Sequence, residues 1–183
     1  PSKALRSWNG TCELLRHGVD AAAPVAYFER IGEAKLLQNY YVCEHVAARF
    51  TARELIAVFA SGHSQFEGDN ELDAYRQLSN YLLRMHGCGI LFRDLSGGNI
   101  LVDTRPDGQL SFSLIDTGRI RVFPKPLSLR QRFSDLVRIC NKLHSEGRER
   151  FLEVYLSALR RRLRFWYALP FMIYDFKVAA KRR

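Results

Sequence analysis

Apolar and polar positions alternate along the chain in two different rhythms. From Ser2 to His17, Leu5, Trp8, Cys12 and Leu15 recur at helical spacing, and Gly18 supplies a stop. After Pro24 come two β-rich runs, Val25–Glu29 and Leu37–Val46, with Gly32 and Glu33 between them, which predicts a hairpin. Thr51-Ala-Arg-Glu54 forms a capping box ahead of Leu55, Ile56, Val58 and Phe59. Ser61–Asn70 is polar and reads as a loop. Leu72, Tyr75, Leu78, Leu82 and Met85 then mark a long amphipathic helix ending at Gly87 or Gly89.

The rhythm changes again after that helix. A strand at Ile100–Val102, a turn at Arg105-Pro-Asp-Gly108 and a strand at Leu110–Ile115 predict a second hairpin, because Pro-Asp-Gly presets the turn. Ser128 and Gln131 box-cap a helix whose apolar face is Phe133, Leu136, Val137, Cys140 and Leu143. A last helical stretch is expected from near Glu149. The order is α+β, with a mainly helical C-terminal part.

Length and composition narrow the reading. With 183 residues the chain is one domain, or one lobe and part of another. Cys12, Cys43, Cys88 and Cys140 are too dispersed for a zinc cluster or a close disulfide framework, which predicts reduced, buried thiols in a cytoplasmic protein. There is no signal peptide and no run of 18 apolar residues, the length that would suggest a membrane span. The net charge of +9 calls for an acidic partner: nucleic acid, an anionic membrane surface or a phosphorylated substrate.

The candidate chemistry lies between the long helix and the second hairpin, in Ile90-Leu-Phe-Arg93-Asp94-Leu-Ser96-Gly-Gly-Asn99. Hairpin strands are antiparallel, so the start of one lies beside the end of the other. Asn99, before the first strand, is thereby brought to the same end as Asp116, after the second. Asp94 sits in the loop leading in. Two carboxylates and a carboxamide are hard oxygen ligands of the kind that suit Mg²⁺ shared with substrate phosphates.

These residues carry a family resemblance. Phe92-Arg93-Asp94-Leu95-Ser96-Gly97-Gly98-Asn99, a hairpin, and then Asp116-Thr117-Gly118 resemble the kinase pattern H-R-D-L-x-x-x-N followed by D-F-G. The short segment after Asp116-Thr-Gly, the later Arg132-Phe-Ser-Asp135-Leu136 and the stretch from Leu14 to Arg30 are most similar to the lipopolysaccharide core (Kdo/heptose) kinases of Gram-negative bacteria. The resemblance implies a protein-kinase-like fold, with helix C at 2–17, the last two N-lobe strands and the hinge within 1–46, and the C-lobe over 47–183.

The resemblance also implies roles. Asp94 accepts or orients the proton of the acceptor hydroxyl, with Arg93 and Ser96 beside it in the catalytic loop. Asn99 and Asp116 hold Mg²⁺ on the phosphates of ATP. Glu44, His45 and Val46 meet adenine through backbone groups, and Glu13 is the candidate helix partner for an ATP-contacting Lys. Asp135 braces the catalytic loop through Arg93 or backbone N–H groups. The implied acceptor is a sugar hydroxyl of the lipopolysaccharide inner core, on the cytoplasmic side of the inner membrane, and nucleic acid is not an expected partner.

The sequence departs from the kinase pattern at several points. Phe92 replaces a His that mainly packs, Ser96 replaces a phosphate-contacting Lys, and Thr117 replaces Phe. The chain begins at helix C, without a glycine-rich loop or a strand bearing the ATP-contacting Lys. That leaves open a fragment of a longer kinase or a degenerate one. Three readings therefore stand: a lipopolysaccharide kinase, a small-molecule or atypical protein kinase, and an inactive kinase-like module that binds a membrane surface or partner.

The tail from Leu159 to Arg183 holds eight Lys/Arg, one acid and a dense aromatic set. It reads either as a helix packing Phe165, Trp166 and Phe171 on the core, or as an interfacial segment over 160–183 that touches anionic lipid. Pro170 is expected to interrupt a continuous helix there. The remaining histidines read as scattered, with His86 a helix C-terminal residue favoured by the dipole.

Overall fold

The computed structural model describes residues 1–32 and 36–181, the side chain of Leu37 aside. In chain order it contains α1 (Lys3–Arg16), β1 (Pro24–Ile31), β2 (Leu36–Cys43), β3 (Phe50–Thr51), α2 (Ala52–Ala60), β4 (Gln65–Phe66), β5 (Asp69–Asn70), α3 (Glu71–Gly87) and β6 (Ile90–Leu91). There follow β7 (Ile100–Thr104), β8 (Leu110–Leu114), β9 (Arg121–Val122), α4 (Leu129–Cys140), α5 (Ser145–Ser157) and α6 (Leu169–Ala180). The fold is α+β.

The helices α1 to α4 begin where side chains satisfy the free N–H groups of a first turn. The Ser2 hydroxyl accepts from Leu5 N at 2.9 Å, and the Asn70 amide oxygen accepts from Asp73 N at 3.0 Å. Both expected capping boxes are present. Glu54 accepts from Thr51 N at 2.7 Å, and Gln131 accepts from Ser128 N at 2.9 Å.

α1 lies on the β1–β2 hairpin, where Trp8 meets Tyr27 at a ring separation of 5.5 Å. The helices α2 and α3 pack on the β7–β8 hairpin, to which β3 adds a third, short strand, and α5 packs on α3. Leu14, Leu55, Leu78, Leu82, Met85, Ile100, Leu114, Leu136 and Phe151 form the centre of one continuous core. Each side chain buried there contributes about 1.5–3 kcal/mol. The backbone between α1 and β1 ties the layers together. Leu114 N donates to Asp20 O at 3.0 Å, and Ala22 N donates to Leu114 O at 3.2 Å.

Several expectations are corrected. The second strand ends at Cys43 instead of Val46, because the chain must leave the hairpin to reach α2, and Glu44–Ala48 run as an irregular connection. Glu33, expected in the turn, lies outside the described residues. Within Ser61–Asn70, the four residues Gln65, Phe66, Asp69 and Asn70 pair as a ladder, since Phe66 buries its ring against Phe50. The last helices are two. α5 starts at Ser145, four residues before Glu149, and α6 follows a 3-10 turn at Phe165–Ala168. As expected, no α-helix runs continuously through Pro170. It stands in the first turn of α6, where its missing N–H has no helical partner to lose. Of the cysteines only Cys140 is buried, and all four are free.

The tail divides by residue. Phe171 is buried against Phe133, whereas Phe165 is 84% exposed and Trp166 49% exposed. The packed reading thus holds for Phe171 and fails for the other two rings.

Candidate active site

The loop at the centre of the candidate site is shaped first by glycines. Gly89 closes α3 at φ 77°, and a Cβ there would stand 2.2 Å from Phe123 O, so only Gly lets β6 run beside β9. A Cβ on Gly97 would come within 2.8 Å of Arg53 N, which draws the loop against α2. Between them the chain enters a left-handed backbone at Arg93, φ 69°. That conformation is sparsely used by residues with a side chain and costs of order 1–3 kcal/mol.

Asp135 holds the strained segment. Its carboxylate, buried in α4, accepts from Phe92 N and from Arg93 N, each at 2.7 Å. Of the two expected braces, the backbone N–H groups do the holding. Behind Asp135 lies a wholly buried relay. Arg132 donates to the Tyr155 hydroxyl at 3.1 Å, Tyr155 lies 2.6 Å from His86 Nδ1, and His86 Nε2 lies 3.4 Å from Asp135. The donors and acceptors close if His86 is neutral: Tyr155 O–H donates to Nδ1, and Nε2–H donates to Asp135. Burial pushes the His86 pKa down in the same sense, and burial pushes the Tyr155 hydroxyl up to about 12. His86 is therefore not an exposed helix end. Its spacing along α3 gives it to the core, because α5 covers that face.

Asp94, Asn99 and Asp116 are positioned by backbone. Asn99 Nδ2 donates to Asp94 O at 2.9 Å, which leaves its Oδ1 as an acceptor. Ile100 pairs with Leu114, and Ile115 N donates to Asn99 O at 3.1 Å, so Asn99 stands beside Asp116 at one end of the β7–β8 hairpin. Asp116 is in the left-handed region at φ 54°, where Asp is among the side-chain-bearing residues most often found. Lys3 Nζ lies 3.6 Å from its carboxylate. A hard-oxygen pair of this kind, half exposed and open to solvent, fits a Mg²⁺ ion that takes its remaining ligands from water and phosphates. Among the described residues there is no group of three or more His, Cys, Asp or Glu that could hold a metal.

α1 is fitted to the segment after Asp116 by small residues. A Cβ on Gly10 would meet Thr117 O at 2.6 Å. The Thr11 and Thr117 hydroxyls are 2.7 Å apart, Thr117 donates to Ser7 O at 3.0 Å, and Tyr41 donates to Thr11 at 2.9 Å. A cavity of about 30 Å³ remains between Thr11, Tyr41, Cys43 and Asp116.

The other expected residues are placed as follows. Ser96 N donates to Asp94 O at 2.7 Å, which makes Ser96 part of the turn. Glu44, His45 and Val46 lie in the connection after β2, where Glu44 N donates to Ala23 O at 2.8 Å. Glu13 stands in the last turns of α1. Its carboxylate pairs with Arg16 and His17 of its own helix, at 2.8 and 3.9 Å. Sequence reasoning missed Lys3 and two arginines on Asp94: Arg119 at 3.3 Å and Arg138 at 3.0 Å. Arg138 could have been found as the residue one turn beyond Asp135 in α4. Arg119 gives no signal beyond its place after Gly118.

The fold has solved relatives. It is similar to WaaP in complex with acyl carrier protein, with a TM-score of 0.70 and 20% identity, covering 97% of this chain and 76% of that one. It is also similar to the Rio2 kinase of Chaetomium thermophilum, solved as an ADP/Mg²⁺–phosphoaspartate complex. There the TM-score is 0.52 and the identity 14%, over 99% of this chain and 55% of that one. No curated protein matches the chain by sequence. The profile of one family does match, over residues 2–155, which is most of the chain and includes the catalytic loop, the hairpin and α4. The chain belongs to the lipopolysaccharide kinase (Kdo/WaaP) family.

Proposed function

We propose that this chain carries the catalytic loop and metal ligands of an ATP- and Mg²⁺-dependent kinase. Its acceptor is a sugar hydroxyl of the lipopolysaccharide inner core. The observation that carries the reading is the placement of Asn99 and Asp116 at one end of the hairpin, with Asp94 fixed to it through the Asn99 amide. Asp94 receives the proton of the acceptor hydroxyl as the phosphoryl group is transferred. Asn99 and Asp116 hold Mg²⁺, which supplies charge neutralisation on the phosphates. Catalysis on such a frame is positioning and electrostatics. Ser96 and Arg93 act by shaping the loop. Glu44 anchors the connection after β2, which leaves adenine to the backbone of His45 and the Val46 N–H.

The tail supports a membrane-side location. No described helix is long and apolar enough to cross a membrane. Phe165, Trp166, Met172 and Phe176 are nevertheless exposed beside Arg160–Arg162, Arg164, Lys177 and Lys181. Apolar and cationic side chains on one segment suit an anionic lipid surface, and a kinase acting on a membrane-embedded glycolipid from the cytoplasm needs such a contact.

The test is transfer of labelled γ-phosphate from MgATP to lipopolysaccharide core acceptors by the wild-type chain and by Asp116→Ala. We expect transfer by the first only, with an unchanged circular dichroism spectrum for the second. Turnover by Asp116→Ala above about one hundredth of wild type would overturn the assignment of the metal ligands.

A further inference from the structure

The two arginines on Asp94 raise a chemical problem. Arg138 engages Oδ1 and Arg119 engages Oδ2, so both oxygens of the base face guanidinium groups. An acceptor hydroxyl must also reach one of those oxygens. The two arginines compete with that hydroxyl for the carboxylate oxygens.

The arginines are free to move. Arg119 is 63% exposed and Arg138 36% exposed, and ion pairs so wet contribute about 0–1 kcal/mol each. A guanidinium fork binds a carboxylate or phosphate in bidentate fashion more strongly than it holds a single oxygen. The two side chains come from different elements, the loop after β8 and the middle of α4, and converge on one point. Arg138 also lines a groove of about 640 Å³ whose other wall is α6, with Tyr174, Phe176, Lys177 and Lys181. The groove is thus edged by cations and aromatic rings, a lining matched to an anionic glycolipid.

We infer that Arg119 and Arg138 form the anion subsite of the acceptor. They bind a carboxylate or phosphate group carried by the acceptor sugar next to the hydroxyl that reacts, and their transfer to that group uncovers Asp94. The base is then competent only when an acidic acceptor is seated. This rests on the kinase reading above and adds to it the acceptor's charge and the residues that select it.

Binding and turnover test it separately. The binding arm titrates Kdo (a sugar carboxylate) and its methyl ester, and glucose 1-phosphate and glucose, into wild type, Arg119→Ala, Arg138→Ala and Arg138→Lys. We expect acidic sugars to bind wild type at least ten-fold more tightly than their neutral counterparts. That preference should shrink about ten-fold or more in either alanine variant and return in part with Arg138→Lys. Preference for the carboxylate pair alone, or for the phosphate pair alone, identifies the anion. Equal binding of acidic and neutral sugars by wild type overturns the inference, as does a preference untouched by both alanine variants. The turnover arm uses the same proteins with core acceptors before and after methyl esterification. We expect the Arg138→Ala loss to appear in KM for the acidic acceptor, whereas equal losses for both acceptors would make Arg138 merely structural. Selective binding without any phosphoryl transfer would uphold the anion subsite and sink the kinase reading instead.

Discussion

His86 shows how one side chain can set a pH limit. Its neutral form is held between Tyr155 and Asp135 in a site without solvent. Burial lowers its pKa in the fold below the ordinary value of about 6.5. Below that pH the unfolded chain takes up a proton that the folded chain does not, so stability is full above about pH 6.5 and falls as the pH drops toward the folded pKa. The slope attributable to one proton is at most about 1.4 kcal/mol per pH unit. Thermal melts at pH 7.5 and 5.5 should show this loss in wild type and a flatter profile in His86→Gln. An equal slope in both would place the acid sensitivity elsewhere. Gly10 gives a second prediction. Gly10→Ala puts a Cβ 2.6 Å from Thr117 O, and crowding of this kind costs about 1–3 kcal/mol. The melting temperature should fall by several degrees, and an unchanged value would mean that α1 can shift away freely.

At the scale of elements, the Phe92–Asn99 loop is held by α4 and not by its own sequence. Removing the Asp135 carboxylate leaves the N–H groups of Phe92 and Arg93 without a partner, and each such group costs about 1–3 kcal/mol when buried. In Asp135→Ala the Phe92 and Arg93 amides should exchange hydrogen at least ten-fold faster, while β7 and β8 stay protected. Uniform loss of protection would instead make Asp135 a determinant of the whole fold. Elements with a strong period or a local signature were legible in the sequence: α3, both capping boxes, and the Pro-Asp-Gly hairpin. The meeting of Asn99 with Asp116 was legible too, since antiparallel pairing requires it. The Gln65–Asn70 ladder was not, because its cause is the burial of Phe66 among residues distant in sequence. Nor was the His86–Tyr155 contact, which joins α3 to α5, or the pair of arginines on Asp94.

Over the whole molecule, charge and exposed apolar surface are unevenly placed. The tail carries Phe165 and Phe176 largely in water, beside a cluster of arginines. A surface of this kind should bind vesicles of anionic phospholipid and release them as salt rises, since the cationic contribution is screened over about 8–10 Å at physiological ionic strength. Co-sedimentation with vesicles containing phosphatidylglycerol should fall by at least half in Phe165→Ser/Phe176→Ser. Equal sedimentation of the variant would assign these rings to a protein partner.

The seam between α1 and Thr117 has a pharmacological consequence. Where many kinases carry a phenylalanine, this chain has a threonine bonded to Ser7 and facing Thr11 across 2.7 Å. Compounds designed to exploit a swinging phenylalanine would find no such ring here. The cavity between Tyr41 and Asp116 has room for about one water molecule, so the seam offers such compounds no foothold.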